Sequence, residues 1–327
     1  MDAVEGLGTF GSDLDRPECV VAHASGNVFV PDWRDGGGVT QIRPDGTQRR
    51  ILARNAPEPM RPNGIALEPG GTFLLAHLGD TNGGVWQLMA DGRVMPVLVT
   101  LDGAPLPPTN FVMRDPWGRL YVTISTRHSP RDLAFRADIA DGFIVLVADG
   151  TARIVADGLG YTNECVLSPD GKTLFVNETY GRRTSAFDVA VDGSLANRRV
   201  IAEYPAGTFP DGLTFDAEGG LWITSVVSNR LIRVMPDGRQ HLILEDADAG
   251  YLAEVTAAYD RGAMRRSHIS TIRSSRLKHL SSLAFAGPKL STQLLGSLLD
   301  TRLLVRESPV AGHPPPHWTY DLGPLAA

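Results

Sequence analysis

The chain has 327 residues, of which 43% are hydrophobic and 21% charged, and it carries a formal net charge of −6 at pH 7. This negative charge argues against nucleic acid and anionic membranes as partners. Two cysteines, Cys19 and Cys165, are too few for a disulfide framework, and we expect both to be buried and inert. The start, Met1–Glu5, lacks the features of a signal peptide, and no apolar run is long enough to span a membrane. The sequence therefore predicts a cytoplasmic protein.

A strand–turn–strand pattern recurs six times along the chain. In each copy two short apolar segments flank a tight turn with a glycine, the residue best suited to the positive φ that such turns require. The six copies are Val20–Asp32, Ile65–His77, Val112–Ile124, Val166–Asn177, Leu213–Ser225 and Leu283–Gly296. The first five copies lie roughly 50 residues apart, a spacing typical of propeller blades.

A second hairpin follows each of these copies. The second hairpins are Val39–Leu52, Val85–Leu98, Phe143–Val155, Ser185–Ile201, Leu231–Leu244 and the less regular Thr301–Leu322. Two hairpins make one four-stranded antiparallel sheet, so the pattern predicts an all-β, six-bladed β-propeller as a single domain over residues 1–327. A sandwich is the alternative, but it would not repeat its loop chemistry at equivalent positions. Either residues 5–12 or Pro316–Leu322 could supply the last strand of blade 6.

One segment, Ala249–His279, interrupts the repeat between the fifth and sixth units. Tyr251, Leu252, Val255 and Tyr259 follow helical spacing. The basic residues of the segment are Arg261, Arg265, Arg266, Arg273, Arg276 and Lys278. Three interpretations stay open: a solvated helix packed over the rim of the propeller, a lid over a site that binds acidic ligands, and a dimer surface. The protein could accordingly be a monomer or a homodimer.

Polar side chains recur eight residues before the turn glycine of each first hairpin. They are Glu18, Asn63, Asn110, Asn163 and Asp211, with Ser281 at the corresponding place in the sixth unit. In a propeller the first strand of each blade lines the central channel, so these positions would form a ring at one channel mouth. Turn capping would explain one such residue, but five at one offset indicate a shared ligand, because Asn, Asp and Glu are depleted in strands and need partners when buried.

A hard divalent cation is the simplest shared ligand of these oxygen-bearing side chains. We expect Glu18, Asn110, Asn163 and Asp211 to coordinate it, with water or substrate completing the shell. All-oxygen coordination favours Ca²⁺, with Mg²⁺, Mn²⁺ or Zn²⁺ as alternatives. The ring contains no histidine, which argues against a dedicated zinc site.

Several segments resemble the gluconolactonase / senescence marker protein (regucalcin) / luciferin-regenerating enzyme family. They are Arg61–Leu67, Tyr161–Glu164, Ser168–Val176 and Pro210–Trp222, and the resemblance extends over about residues 15–315. It implies a six-bladed propeller with one divalent metal in the channel and, for most members, lactonase activity. The family's metal-binding Glu, two Asn and Asp fall on Glu18, Asn110, Asn163 and Asp211. Cys19 and Phe111, which follow two of these ligands, depart from the family pattern.

The predicted function is therefore a metal-dependent lactonase, a carboxylic ester hydrolase acting on a small molecule. Asp211, which resembles the family's general base, is the first catalytic candidate. Glu178, just past the end of a second strand, is the second candidate; an ion pair with Arg182 or Arg183 is its alternative role. A metal-assisted cyclisation, condensation or isomerisation and a non-catalytic calcium-binding regulatory protein are the alternative functions.

Five residues are substrate-binding candidates: Asn63, His77, Phe111, Arg127 and His128. Asn63 belongs to the ring, His77 ends the second strand of its unit, and Phe111 would suit a substrate with few hydroxyl groups. Arg127 and His128 follow the second strand of the third unit and could bind a substrate carboxylate. Structural hydrogen bonds or loop ion pairs are the alternatives for His77, Arg127 and His128.

Overall fold

The computed structural model describes residues 4–326 and confirms a six-bladed β-propeller of four-stranded antiparallel sheets. The first strand of each blade contacts the first strands of the two neighbouring blades, and blade 6 contacts blade 1. This contact closes the ring around a central channel. Apolar clusters lie between neighbouring blades; Phe29 of blade 1, for example, packs against Phe73 of blade 2, with 5.1 Å between ring centroids. The core is therefore divided into layers between the blades.

The strands of each blade are ordered from the channel outwards. Blades 1 to 3 contain Val21–Ala22, Val28–Asp32, Gly38–Ile42 and Gln48–Leu52; Pro62–Glu68, Thr72–His77, Gly84–Leu88 and Val94–Leu98; Thr109–Arg114, Leu120–Ile124, Gly142–Ala148 and Thr151–Leu159. Blades 4 to 6 contain Thr162–Leu167, Thr173–Glu178, Arg183–Val189 and Leu195–Glu203; Thr208–Phe215, Leu221–Val227, Arg230–Val234 and Gln240–Glu245; Leu280–Ala286, Thr292–Ser297, Leu303–Glu307 and Gly8–Phe10. A small hairpin, Thr100–Leu101 with Ala104–Pro105, follows blade 2.

The N-terminal strand completes blade 6. Gly8–Phe10 pairs antiparallel with residues 303–305, so the chain closes its own ring. Pro316–Leu322, the other candidate for this strand, forms turns instead. The chain end then reaches blades 1 and 2, where Leu322 and Leu325 are buried.

The insertion between blades 5 and 6 contains one α-helix, Ala249–Asp260. Asp248 is its N-cap residue, and the Asp248 side chain accepts a hydrogen bond from the Tyr251 amide. The helix packs over the rim of the propeller, where Val255 and Tyr259 are buried against an aromatic cluster of blades 4 and 5. Six residues after the helix ends at Asp260, Arg266–Ile269 forms a 3₁₀ turn. The other 3₁₀ turns are Val4–Gly6, Arg34–Gly36, Arg131–Ala134 and Gly323–Leu325. No helix within residues 4–326 is long and apolar enough to cross a membrane.

The pairing of the first two strands is irregular at the level of the ring in blades 2 to 6. The register shifts fall between Pro62 and Ile65, Thr109 and Phe111, Thr162 and Cys165, Pro210 and Leu213, and Leu280 and Ser282. Asn63, Asn110, Asn163 and Asp211 therefore lie inside bulges. A bulge redirects side chains relative to a regular strand, which allows these residues to face the channel mouth.

Candidate metal centre

The five predicted ring residues converge on one cavity at the channel mouth. Glu18, Asn63, Asn110, Asn163 and Asp211 all line it. The sixth position differs, because the Ser281 hydroxyl donates to the Glu18 carbonyl at 3.0 Å. The ring residues thus bring two carboxylates and three amides to this cavity, as the repeat offset predicts.

Several ring oxygens are buried without a protein hydrogen-bond donor. They are Glu18 Oε1, Asn110 Oδ1 and Asn163 Oδ1. An unsatisfied buried polar atom costs about 1–3 kcal/mol, so three at one point indicate a partner from outside the chain. Carboxylate and amide oxygens are the ligands that a hard divalent cation prefers. The ring residues therefore fit a bound divalent cation.

The orientation of Asn163 is fixed by a short relay of hydrogen bonds. Thr179 Oγ1 donates to the Pro210 carbonyl at 2.8 Å, so the same hydroxyl must accept from Asn163 Nδ2 at 2.9 Å. This arrangement turns the amide oxygen of Asn163 away from Thr179, where it finds no donor. Asp211 is held nearby, because Asn177 Nδ2 donates to the Asp211 backbone carbonyl at 2.9 Å.

The pKa values of both ring carboxylates are raised by burial. Burial raises the pKa of Asp211 well above its usual value, and the negative charge of Glu18 adds to this effect. Burial also raises the pKa of Glu18, against the opposing effect of Arg16, whose Nη2 lies 2.6 Å from Glu18 Oε2. A cation between the carboxylates would offset the repulsion and favour their ionised forms. No three His, Cys, Asp or Glu side chains within residues 4–326 form a possible metal cluster, so the ring depends on its amides.

The structure adds three arginines that sequence reasoning did not place in the site. Arg16, Arg131 and Arg266 line the ring cavity, and all three also line a larger cavity outside it. We call the two spaces the inner and the outer cavity. Arg16 and Arg131 lie outside the repeat, so no periodic pattern could reveal them. Arg266 belongs to the basic insertion, whose 3₁₀ turn lines the mouth.

The structure does not bring Glu178 to the ring. Its side chain is fully buried and accepts hydrogen bonds from the Gly160 amide at 2.6 Å and from Ser185. Arg183 and Arg198 each approach it at 2.7 Å. Burial raises the pKa of Glu178, but these donors more than offset it and the pKa lies below its usual range. A carboxylate with every oxygen occupied has a structural role, so Glu178 is set aside as a base.

His77, which is 1% exposed, is also held away from both cavities. Its Nδ1 accepts from the Arg61 amide at 2.9 Å, and its Nε2 lies 3.2 Å from Glu58. Burial lowers the pKa of His77, and Glu58 only partly opposes this effect. Its ring nitrogens are therefore occupied by structural partners.

The other substrate-binding candidates lie outside the ring as well. Arg127 pairs with Asp157 at 2.8 Å and covers the Phe143 ring, while His128 pairs with Asp141 at 2.8 Å. Phe111 lines a third cavity, which lies along the inner strands of the blades and which we call the axial cavity. Asn63 is thus the one substrate-binding candidate that the structure brings to the inner cavity.

The axial cavity and the inner cavity share one lining residue, which the sequence analysis did not single out. Glu164, next to Asn163, lines both this cavity and the inner cavity. Burial raises the pKa of Glu164 well above its usual value, and Asp211 and Glu18 add to the effect. Both cysteines also line the axial cavity and are buried.

Fold and site together define a class: six-bladed propellers with oxygen-bearing side chains gathered at one mouth of the channel. The family described as "SMP-30/Gluconolactonase/LRE-like region" matches residues 17–245, and the chain belongs to this family. A 6-deoxy-6-sulfogluconolactonase from Pseudomonas putida is 25% identical over 216 residues, 65% of this chain and 69% of that protein. An L-arabinolactonase from Azospirillum brasilense is 34% identical over 100 residues, 30% of this chain and 33% of that protein. The crystal structure of a calcium-binding protein, regucalcin, from Agrobacterium tumefaciens has a TM-score of 0.65 at 18% identity, covering 97% of this chain and 99% of that one.

Proposed function

We propose that this protein is a divalent-metal-dependent hydrolase that opens a lactone. The observation that carries the proposal is the group of buried, unpartnered oxygens of Glu18, Asn110 and Asn163 around one cavity. The family and its lactonase relatives support the reaction class. The outer cavity, which shares Arg131 with the inner one, leaves room for a small organic substrate.

Glu18, Asn110, Asn163 and Asp211 would hold the cation, with Ca²⁺ as the first candidate. Bound there, a divalent cation would polarise the lactone carbonyl and stabilise the charge that develops on its oxygen. Asn63, on the same cavity, offers an amide to hydrogen-bond the substrate.

Asp211 is our candidate for the general base. Its carboxylate lines the inner cavity, where it could accept a proton from an attacking water. The water oxygen bonds to the carbonyl carbon, the ring carbon–oxygen bond breaks, and the proton passes to the departing ring oxygen. The product is one open-chain hydroxy acid for each water consumed. Asn163 and Glu18 border the same carboxylate and influence its ionisation.

A non-catalytic calcium-binding role is the alternative, because the unpartnered oxygens require a cation and not a substrate. Turnover separates the two functions. The test removes divalent metal from the protein with a chelator, restores single metals, and follows acid release from a panel of γ- and δ-lactones. The lactonase proposal predicts hydrolysis that the chelator abolishes and a metal restores. Tight metal binding without opening of any lactone would favour the alternative.

A further inference from the structure

The outer cavity has an unusual concentration of positive charge. Arg16 precedes blade 1, Arg131 lies in a 3₁₀ turn of blade 3, and Arg266 lies in the insertion. All three line both cavities, and Arg61 lines the outer one. Four separate parts of the chain therefore bring guanidinium groups to the outer cavity. The carboxylates that line the outer cavity are Asp80 and Asp132.

Two of the four guanidinium groups already have acidic partners. Arg16 pairs with Glu18 at 2.6 Å and lies over the Trp33 ring, 4.4 Å from its centroid. Arg61 pairs with Asp80. These contacts hold Arg16 and Arg61 in place and offset their charge.

The other two, Arg131 and Arg266, form no ion pair with any residue in the range 4–326. Arg131 donates from Nη2 to the Ser125 hydroxyl at 3.1 Å, and its Nε is buried without an acceptor. At Arg266 it is the backbone amide, not the guanidinium, that donates to Asp132, at 3.2 Å. Arg131, which is partly buried, and Arg266, which is exposed, therefore keep guanidinium donors without a protein acceptor where the two cavities share their lining.

Such an arrangement fits an anionic ligand. Like charges that line one cavity repel each other, and the buried Arg131 Nε is costly to leave without an acceptor. The planar fork of a guanidinium matches the two oxygens of a carboxylate and the oxygens of phosphate or sulfonate. A ligand with one such group would satisfy Arg131 and Arg266 together, while the rest of the ligand reaches the ring.

We propose that the substrate is an anionic lactone, whose ring enters the inner cavity and whose oxyanion substituent is bound by Arg131 and Arg266. This inference rests on the proposed function, since it names the substrate class of the same site. The two arginines are binding residues. Asp211 and the other residues that line the channel mouth keep the roles given above. Neutral lactones of the same shape would bind more weakly, because they leave both guanidinium groups unpaired.

The kinetic test compares two substrates of nearly the same size and shape, one anionic and one neutral: γ-carboxy-γ-butyrolactone and its carboxamide. We expect kcat/KM for the carboxylate to exceed that for the carboxamide by about tenfold or more, since charge-assisted hydrogen bonds are worth at least that much. In the double variant Arg131→Gln/Arg266→Gln this ratio should fall to near one, mainly through KM. Arg131→Lys/Arg266→Lys, which keeps the charge, should retain part of the preference.

Arg239→Gln is the matched control, because Arg239 is an exposed arginine paired with Asp237 on a turn of blade 5. It should leave the ratio unchanged. Circular dichroism and thermal melting check the folding of every variant, and the lysine pair supplies the comparison if the glutamine pair does not fold. An equal rate on both lactones, with no change in the double variant, would overturn the anionic substrate while leaving the lactonase proposal intact.

A binding measurement separates the two proposals. Tetrahydrofuran carboxylate and tetrahydrofuran carboxamide have no ester to hydrolyse, so calorimetry reports recognition alone. Tighter binding of the carboxylate, lost in the double glutamine variant, supports the anion site even if no lactone is opened. Equal binding of the two probes to the wild-type protein would contradict the anion site whether or not lactones are hydrolysed.

Discussion

Asp211 and Glu178 lie on neighbouring blades near the same end of the propeller, yet their surroundings are opposite. Glu178 is fully buried and has four donors, two of them arginines. Asp211 faces a cavity with Glu18 and with amide oxygens that have no protein partner. Burial of a carboxylate therefore does not by itself identify a reactive group. The informative feature is whether the chain itself satisfies the group or leaves it for a ligand.

The largest expected effect is on catalysis at Asp211. Asp211→Asn removes the carboxylate that we propose as the general base, so lactone hydrolysis should fall at least about 100-fold. The fold should be retained, because the substitution removes one of two repelling carboxylates. Hydrolysis rates at saturating cation, together with a metal-binding titration, provide the measurement. Glu218→Gln, which changes an exposed carboxylate, is the control, and wild-type turnover by Asp211→Asn with metal bound would exclude Asp211 as the base.

Glu178→Gln should affect stability and not catalysis. Removing one member of a buried ion-pair network leaves Arg183 and Arg198 without their partner, at a cost of about 3 kcal/mol. Urea denaturation should show this loss in the free energy of unfolding, while kcat per folded molecule stays near the wild-type value. A stable Glu178→Gln protein with greatly reduced kcat would reverse the roles that we assign to the two carboxylates.

A third carboxylate, Asp32, occupies in blade 1 the strand-end position that Glu178 has in blade 4. Burial raises its pKa, but hydrogen bonds from Arg34, Arg50 and Thr40 prevail and lower the pKa to about 2. Because the folded-state pKa lies below the ordinary value, the stability that Asp32 provides is complete above about pH 4 and is lost as the pH falls towards 2. The loss should be about 2 kcal/mol, measured by urea unfolding at a series of pH values.

Asp32→Asn should remove this component of the acid sensitivity and start from a lower stability at neutral pH. If the variant and the wild type lose stability in parallel between pH 4 and 2, Asp32 is not the group responsible. The result would then weaken the view that strand-end carboxylates of this fold are structural.

The smallest effect that we predict concerns the orientation of Asn163. Thr179→Val removes the hydroxyl that holds the amide nitrogen, with little change in volume, so Asn163 Oδ1 is no longer held toward the ring. Loss of such an outer contact typically weakens metal affinity about tenfold, which calorimetry with Ca²⁺ can measure. Thr292→Val, at an exposed hydroxyl bonded to Glu307, is the control. Unchanged affinity in Thr179→Val would show that Asn163 does not need this relay.

The six-fold repeat could be predicted from the sequence because each turn is specified by the few residues that form it. The glycine turns predict the blades, and the fixed offset from those glycines predicts the convergence of Asn110 and Asp211. Blade closure was not predictable, since both chain ends contain apolar residues suited to a strand. Asp211 and Glu178 differ in their surroundings because Asp211 lies in a bulge and Glu178 pairs regularly with Arg183. Neither feature can be recognised from composition or spacing.

The arginines show a different limit. Arg131 and Arg266 are separated by more than a third of the chain, on connections that carry no repeat. Their meeting at one cavity depends on how a loop of blade 3 and the insertion fold over the mouth. A basic segment could be recognised from residues 261–278, but which of its arginines faces the site could not.

A crystal structure of the protein soaked with Mn²⁺ or Ca²⁺, with an anomalous difference map, would show directly whether the ring binds a cation. We predict one strong peak in the inner cavity, about 2.0–2.6 Å from oxygens of Glu18, Asn110, Asn163 and Asp211. A map without a peak at these residues under saturating metal, or with the ion bound elsewhere, would contradict a cation site in the inner cavity.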